Sequence, residues 1–532
     1  MRRTSQLRGA TNIVCGTLLS TLLSISVSSA QGLSAAPSAP SAQVGVPGAR
    51  STNVEIAQRL LARLGLLNEQ ATGVMTAATS DAIRRFASQQ NLIFTNQVTD
   101  QILRAMRGAA WNTGGWKKGA LKGQEKLMDS TGVREAQSYL IKLGFNPGPA
   151  DGTFGPQTQS SVESFQANQQ TSVDGLITKT ALMNLKRATL LNAADSVGTI
   201  RILNWPDYIE PTVLEDFEKQ TKIRIIYDTY GSNEELESKL KTSREPYDVA
   251  IPTASHISEL KANKLLRPLD RNLLKNLGNI DPKILAYLEA WDQGAKYSVP
   301  YMWFTLGIAS NQRLVSKFAP NAKLDSLSAI FDPIQAKQLS ACGIRIVDSA
   351  SDIIPLAALS TGLKKWSNDA QSMAAAEKIL MGIRDIVQPI SSDEYIDALA
   401  KGKICVAIGF SGDTIQARKD ATPGNSIQYR VPIEGSSLGF DTLTIPANSK
   451  NSALAHQFID YILLPQVVGK ISNTVRYANG NINSGPFIDP ALLQDPGIYP
   501  PADVMKRLIV VPSLTADMKE NIDRVWKKFS HK

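Results

Sequence analysis

Two stretches of the chain repeat at a constant distance, and that duplication limits what the N-terminal third can fold into. EIAQRLLARLGLL (Glu55–Leu67) aligns with REAQSYLIKLGFN (Arg134–Asn146), placing Gln58 on Gln137 at an offset of 79. The same offset carries Gly73 onto Gly152, Thr79 onto Thr158, Phe86 onto Phe165 and Leu103 onto Leu182. One offset held through five landmarks marks a duplicated structural unit. In each copy apolar residues recur at helical spacing, a turn follows, and a second helix ends near the Phe. Gly65 and Gly144 read as helix-terminating glycines, and Asp151-Gly152 as a tight-turn dipeptide. Two small all-α units are expected, at 51–110 and 131–190, with a Gly/Lys connector at 111–130.

The start of the chain has a different character. Arg2, Arg3 and Arg8 precede the apolar stretch Ile13–Val27, which ends in Ser28-Ser29-Ala30. That order reads as a secretory signal over 1–30, cleaved near Ala30. The apolar run is short for a bilayer span and no later run is long enough, so an exported, periplasmic protein is expected. Cys15 lies inside this segment behind Val14, where a lipoprotein site would need a small residue. Residues 31–50, including APSAPSAQVGVPGAR, are too rich in Pro, Ala, Ser and Gly to bury a core, and read as a linker. Cys342 and Cys405 remain, and in an exported chain they favour one disulfide over two separate buried thiols. The net charge of +9 is partly in Trp116-Lys117-Lys118-Gly119-Ala120-Leu121-Lys122. An exported chain is not expected to meet nucleic acid, so these lysines read as linker solvation or as contacts to anionic wall polymers.

From about residue 197 to residue 532, short apolar runs alternate with helical stretches. The runs are Thr199–Leu203, Ile223–Tyr227, Asp248–Pro252 and Ile404–Ile408; the helical stretches include Pro211–Gln220, Asn233–Thr242 and Ser452–Leu464. This alternation predicts an α/β architecture with largely parallel sheets, whose ligands bind where strands end. NWPDY and IGFSGD both lie at such ends.

Catalytic patterns are scarce. His256, His456 and His531 are the whole histidine inventory, and the sequence suggests no zinc partner for any of them. Gly409-Phe410-Ser411-Gly412-Asp413 resembles a hydrolase elbow except that Asp413 stands where the closing glycine belongs. No Walker loop or dinucleotide fingerprint is present, so a non-enzymatic chain is expected. Three carboxylates instead sit beside aromatics: Asp207 after Trp205, Asp413 after Phe410, and Asp441 after Phe440. Acids hold ammonium groups through charge-assisted hydrogen bonds, and ring faces attract cations and methylenes. Each Asp alone is more often a turn cap or a surface charge. Together they suggest a pocket for a cationic amine.

Two resemblances extend this reading. The second repeat, AQSYLIKLGFNPGPADGTFGPQT with VESFQ and VDGLITKTALMNL, resembles the small helical peptidoglycan-binding domain appended to wall-lytic enzymes. The first copy is degenerate, with Thr72-Gly73 in place of Asp-Gly and no Gln after Phe86. The resemblance implies glycan attachment for the second copy and leaves the first open.

Residues 197–532 resemble the periplasmic putrescine/spermidine-binding proteins of polyamine ABC transporters. The stretches that carry this are NWPDYI, YDTYGSNEELESKL, YDVAIPTAS, PYMWFTLGI, SACG, YIDALAKGKICVAIGFSGD, VPIEG, FD, RYANGN and DPGIYPPADV. The resemblance implies a two-lobed (type II) clamp closing on a putrescine-like polyamine, without cofactor or metal. It also implies a monomer that delivers its cargo to an inner-membrane ABC permease. As ligand residues it implies Trp205, Asp207 and Tyr208; Thr253 for a usual serine, with Ser255 nearby; Asp352 for Glu; and Ser392. Phe410 stands for a Trp, Asp413 and Asp441 match the acidic pair, and Tyr477 closes the set. It further implies that Cys342 pairs with Cys405. Pro206 departs from a serine, and Gly439 stands where the family has a stacking aromatic. The loss of that ring is expected to widen the pocket and remove about 1–2 kcal/mol of contact. Two other readings remain: a wall-associated sensory or structural protein with an altered ligand, and a peptidoglycan hydrolase.

Overall fold

The computed structural model describes residues 50–69, 71–112, 127–190, 195–363, 366, 369–390, 392–513 and 516–530. The signal segment, nearly all of the 31–50 linker and most of the 111–130 connector lie outside the described residues.

Each repeat is a three-helix unit. Thr52–Arg63, Ala77–Gln89 and Asp100–Asn112 form the first; Ser130–Lys142, Pro156–Gln169 and Lys179–Ala188 form the second. The 79-residue offset has a structural cause in a buried glutamine. Gln58 Nε2 donates to the Val74 carbonyl (3.0 Å) and to Thr79 Oγ1 (3.0 Å), while its Oε1 accepts the Gly73 N–H (2.9 Å). Gln137 repeats the pattern with Thr153 (3.1 Å), Thr158 (3.1 Å) and Gly152 (2.9 Å). The glutamine therefore staples the first helix to the turn and to the start of the second helix. Both turn glycines have positive φ, +75° at Gly73 and +82° at Gly152, a conformation costly for other residues.

The repeats are docked on one another and on the larger domain. Arg107 donates from Nε to Glu163 at 2.8 Å, both residues buried, and Val173 of the second copy packs into the core of the first. The helix Lys179–Ala188 then covers strand β2 (Ile223–Thr229), which lies beside β1 (Gly198–Asn204) at the end of the sheet. Asn184 donates to the Tyr227 carbonyl at 2.7 Å, and Arg187 donates to the Ile225 carbonyl. Arg187 also grips Glu218 through two bonds of 2.9 and 2.8 Å, with both side chains at most 5% exposed. An open strand edge invites mispairing, and here a helix of the second repeat satisfies its carbonyls.

The larger domain has two lobes with separate cores. In lobe 1, β1 pairs in parallel with β2 and with β3 (Val249–Ala250). β3 is shorter than the 248–252 run because Asp248 turns to accept the Arg201 N–H (3.0 Å) and Pro252 has no donor for a ladder. Strand β4 (Ser298–Asn311) crosses between the lobes. In lobe 2, β5 (Ile344–Val347) pairs in parallel with β6 (Val387–Ile390) and β7 (Val406–Phe410). β8 (Ile427–Arg430) pairs with β4, and β9 (Ser436–Thr444) returns to lobe 1. The order across the sheet is β2-β1-β3-β9-β4-β7-β5-β6. Pairing is parallel within each lobe and antiparallel along the crossing strands, so the expectation of parallel sheets holds for the lobes alone. Cys342 and Cys405, just before β5 and β7, form a disulfide with their Cα atoms 5.4 Å apart. Among the described residues, no helix is long and apolar enough to cross a membrane.

Removing Arg187 would leave the Glu218 carboxylate buried without its cation. Arg187→Met is expected to lower unfolding free energy by about 3–5 kcal/mol, and Arg187→Met/Glu218→Leu to recover most of it. Denaturant titration of the full chain checks both.

Candidate ligand site

The first acid of the site belongs to lobe 1. Asp441 lies on β9, is 5% exposed, and forms an isolated bridge with Thr253 just after β3. Its Oδ2 accepts the Tyr208 hydroxyl at 2.8 Å and its Oδ1 the Thr253 hydroxyl at 2.9 Å. Burial dominates its titration and pushes the carboxyl up to about 6, against the hydroxyl bonds and the facing Trp205 indole, which favour the charge. The negative charge of Asp352 adds to the upward shift, so a second carboxyl is within electrostatic reach. Asp352 opens the helix Ala350–Leu359 in lobe 2, accepts the Ser349 hydroxyl at 2.5 Å, and is itself raised by burial. Trp205 packs against Tyr230 in a tilted arrangement, 4.4 Å between ring centroids, and its Nε1 is buried.

The second acid belongs to lobe 2. β7 ends at Phe410, and the chain turns directly into the helix Ser411–Lys419, which places Asp413 in its first turn. Asp413 accepts the hydroxyls of Tyr395 and Tyr477, each at 2.7 Å. Tyr395 also receives the Phe410 N–H at 3.0 Å, which ties the strand end to the helix Ser392–Ala400. Burial holds the phenols of Tyr208, Tyr395 and Tyr477 well above their usual value, so all three remain protonated donors.

Aromatic rings join the two acids. Tyr208 and Tyr477 meet edge to face at 5.2 Å, Tyr477 meets Phe304 at 6.1 Å, and Phe304 meets Phe410 at 5.1 Å, all near perpendicular. Gly412 allows this approach, because a Cβ there would lie 2.0 Å from the Tyr477 ring. The expected widening at Gly439 does not occur. A Cβ at 439 would lie 2.3 Å from the Phe304 ring, so Phe304, on the opposite strand, already fills that space.

Trp205, Tyr208, Thr253, Asp352, Phe410, Asp413, Asp441 and Tyr477 thus gather in one region. Two of the expected residues, Asp207 and Ser255, do not join them. Asp207 takes a left-handed conformation (φ +53°) that directs its exposed carboxylate to Lys179 of the second repeat, at 2.9 Å. Lobe 1 therefore presents Asp441, rather than Asp207, beside Tyr208. Ser255 is exposed in the turn after β3. Ser392 begins its helix, but its side chain lies outside the described residues. Ser411, the serine of the elbow-like stretch, is buried with its Oγ accepting the Thr305 N–H. Tyr395 and Phe304 were not foreseen, although both lie within the stretches YIDALAKGK and PYMWFTLGI. His256 does find acidic neighbours in Glu237 and Glu259, spaced for a metal ion, where the sequence suggested none. Lys241 and Asn263 bind Glu237, and Lys519 pairs with Glu259, so these acids already have partners.

Two lobes, crossing strands and an acid from each lobe joined by a ring cluster define a solute-binding clamp. The sequence profile of the bacterial extracellular solute-binding protein family matches residues 212–497, and the peptidoglycan binding domain profile matches residues 50–106 and 129–182. The chain belongs to the bacterial extracellular solute-binding protein family, with two peptidoglycan-binding repeats ahead of the clamp. It is 36% identical over 345 residues to the putrescine-binding periplasmic protein SpuD of Pseudomonas aeruginosa, covering 64% of this chain and 94% of that protein. It is 35% identical to the putrescine-binding periplasmic protein PotF of Escherichia coli, covering 65% and 95%. The crystal structure of the spermidine/putrescine ABC transporter substrate-binding protein PotD from Streptococcus pneumoniae superposes with a TM-score of 0.56 at 28% identity. That match covers 62% of this chain and 98% of the other. The first repeat, degenerate at its turn, is matched as well as the second.

Because the folded protein raises the Asp441 carboxyl from 3.8 to about 6, folding favours its protonated form. That contribution is complete below about pH 4 and is lost as pH rises through 6, at most about 3 kcal/mol in all. Ligand-free wild type is therefore expected to lose stability relative to Asp441→Asn between pH 4 and 7, as measured by urea unfolding.

Proposed function

We propose that this chain is a periplasmic substrate-binding protein that captures a putrescine-like polyamine for ABC-type import and is held at peptidoglycan by its N-terminal repeats. Residues 1–30 would be its export signal, cleaved near Ala30. One observation carries the reading: two tyrosine-braced carboxylates from opposite lobes, Asp441 buried and Asp413 half-buried, are linked by a run of aromatic rings. A diamine needs that order of groups, with an acid at each end and ring surface along its methylenes. An amine entering the site would find Asp441 and Asp413 oriented by hydroxyls that donate and cannot themselves neutralise the charge. The buried Trp205 Nε1 lies beside the first of them. The strands that cross between lobes are the natural hinge for closure. The names of the relatives support the same class of ligand, and the repeats support retention at the wall.

A melting panel on the full chain tests this, using putrescine, cadaverine, spermidine, spermine, agmatine and amino acids. A binder at about 100 times its Kd adds about 2.7 kcal/mol. Asp413→Ala is expected to cost about 2 kcal/mol or more of binding, some 30-fold in Kd, because an ammonium would lose its charged partner. No shift with any amine, together with retention on purified sacculi, would favour a wall-associated sensory or structural protein. Release of soluble fragments from sacculi would instead indicate a hydrolase.

A further inference from the structure

We propose that Phe304 is a ligand-contacting residue that sets amine selectivity, supplying from β4 the ring that β9 lacks at Gly439. This rests on the amine-clamp reading above and adds to it a residue and a selectivity.

The case begins with burial. Of the fourteen residues of β4, only Phe304 is not buried. Of the nine residues of β9, only Gly439 is not buried, and of the five of β7, only Phe410. These three positions are neighbours: Phe304 pairs with Gly439 across the ladder, and the Phe304 and Phe410 rings meet at 5.1 Å. Solvent therefore reaches the crossing strands at one spot, and two phenylalanine rings line it. Strands covered on both faces have no structural need for such an opening.

The ring is also held in place. Gly439 lies against it so closely that a Cβ would stand 2.3 Å from Cε2 and 2.4 Å from Cζ. Phe410 and Tyr477 meet it nearly at right angles, at 80° and 87°. Register places it where β4 changes partners: Thr305 still pairs with β9, and Leu306 already pairs with Phe410 of β7. The remaining surface of the ring thus belongs to the junction of the lobes. Asp413 is one residue away through Tyr477, and Asp441 lies beyond Tyr208. An alkyl amine bridging the two acids would lay its methylenes, or an inner ammonium, on that ring. A ring in this place limits depth, so it favours a two-ended diamine over a longer triamine that must fold or protrude.

Calorimetry with putrescine and spermidine on the full-length wild type, Phe304→Ala, Phe304→Leu and Phe304→Gly/Gly439→Phe tests the proposal. Phe304→Ala is expected to weaken putrescine about tenfold, the scale of one lost cation–ring contact, and to weaken spermidine less. Phe304→Leu keeps the apolar filling and is expected to lose affinity while melting like wild type without ligand, which separates contact from folding. The exchange variant, with the ring moved to β9, is expected to regain affinity over Phe304→Ala. If Phe304→Ala and Phe304→Leu bind both amines within twofold of wild type, the assignment of Phe304 is wrong and the clamp reading stands. If wild type binds neither putrescine nor spermidine, both fall.

Discussion

One strand running through two hydrophobic cores is the constraint on which the clamp depends. β4 spends Ser298–Thr305 against β9 in lobe 1 and Leu306–Ser310 against β7 in lobe 2, with β8 pairing beside its far end. A strand shared this way cannot slip in register without turning buried side chains outward in both lobes. It therefore fixes where the two lobes meet. β7 is aligned by the same ladder, so Phe410 and the helix start carrying Asp413 arrive at the junction. β9 is aligned from the other side and brings Asp441. Both acids reach the junction of the lobes because one continuous ladder sets their positions.

Burying carboxylates so close to apolar cores is costly unless donors accompany them. The donors here are tyrosine and threonine hydroxyls: Tyr208 and Thr253 for Asp441, Tyr395 and Tyr477 for Asp413. A hydroxyl stabilises a carboxylate's charge without cancelling it. The interface between repeat and lobe follows the opposite logic. There Arg187 neutralises Glu218 outright, and the same arginine, with Asn184, takes up the carbonyls of an edge strand. The wall-binding unit is thereby built onto lobe 1, where a linker alone would have left it independent.

Much of this was legible in residues 197–532. Strand β2 and the helices Asn233–Thr242 and Ser452–Ile462 appear close to the runs of apolar and helical spacing, because both kinds of element carry their signal locally. Tyr477 stood out through the family resemblance alone, and Asp413 and Asp441 as carboxylates beside aromatics. Asp207 stood out for the same reason and points elsewhere, since a positive φ in the turn after β1 reverses its direction. Nothing in the local pattern announces that reversal. Phe304 was hidden for a different reason. A strand buried on both faces reads as an unbroken apolar run, so no alternation marks the one side chain that reaches solvent.

The sequence by itself determined the duplicated helical units, the α/β character of the remainder and the acids available for a cation. Each is written in spacing or composition within a short window. Tertiary structure alone decided which acid faces the cleft, which ring replaces the one absent at Gly439, and that Lys179–Ala188 closes the edge of β2. Those outcomes depend on residues far apart in the chain, such as Phe304 with Gly439 and Arg187 with Glu218, and only the packing of the folded chain brings them within reach.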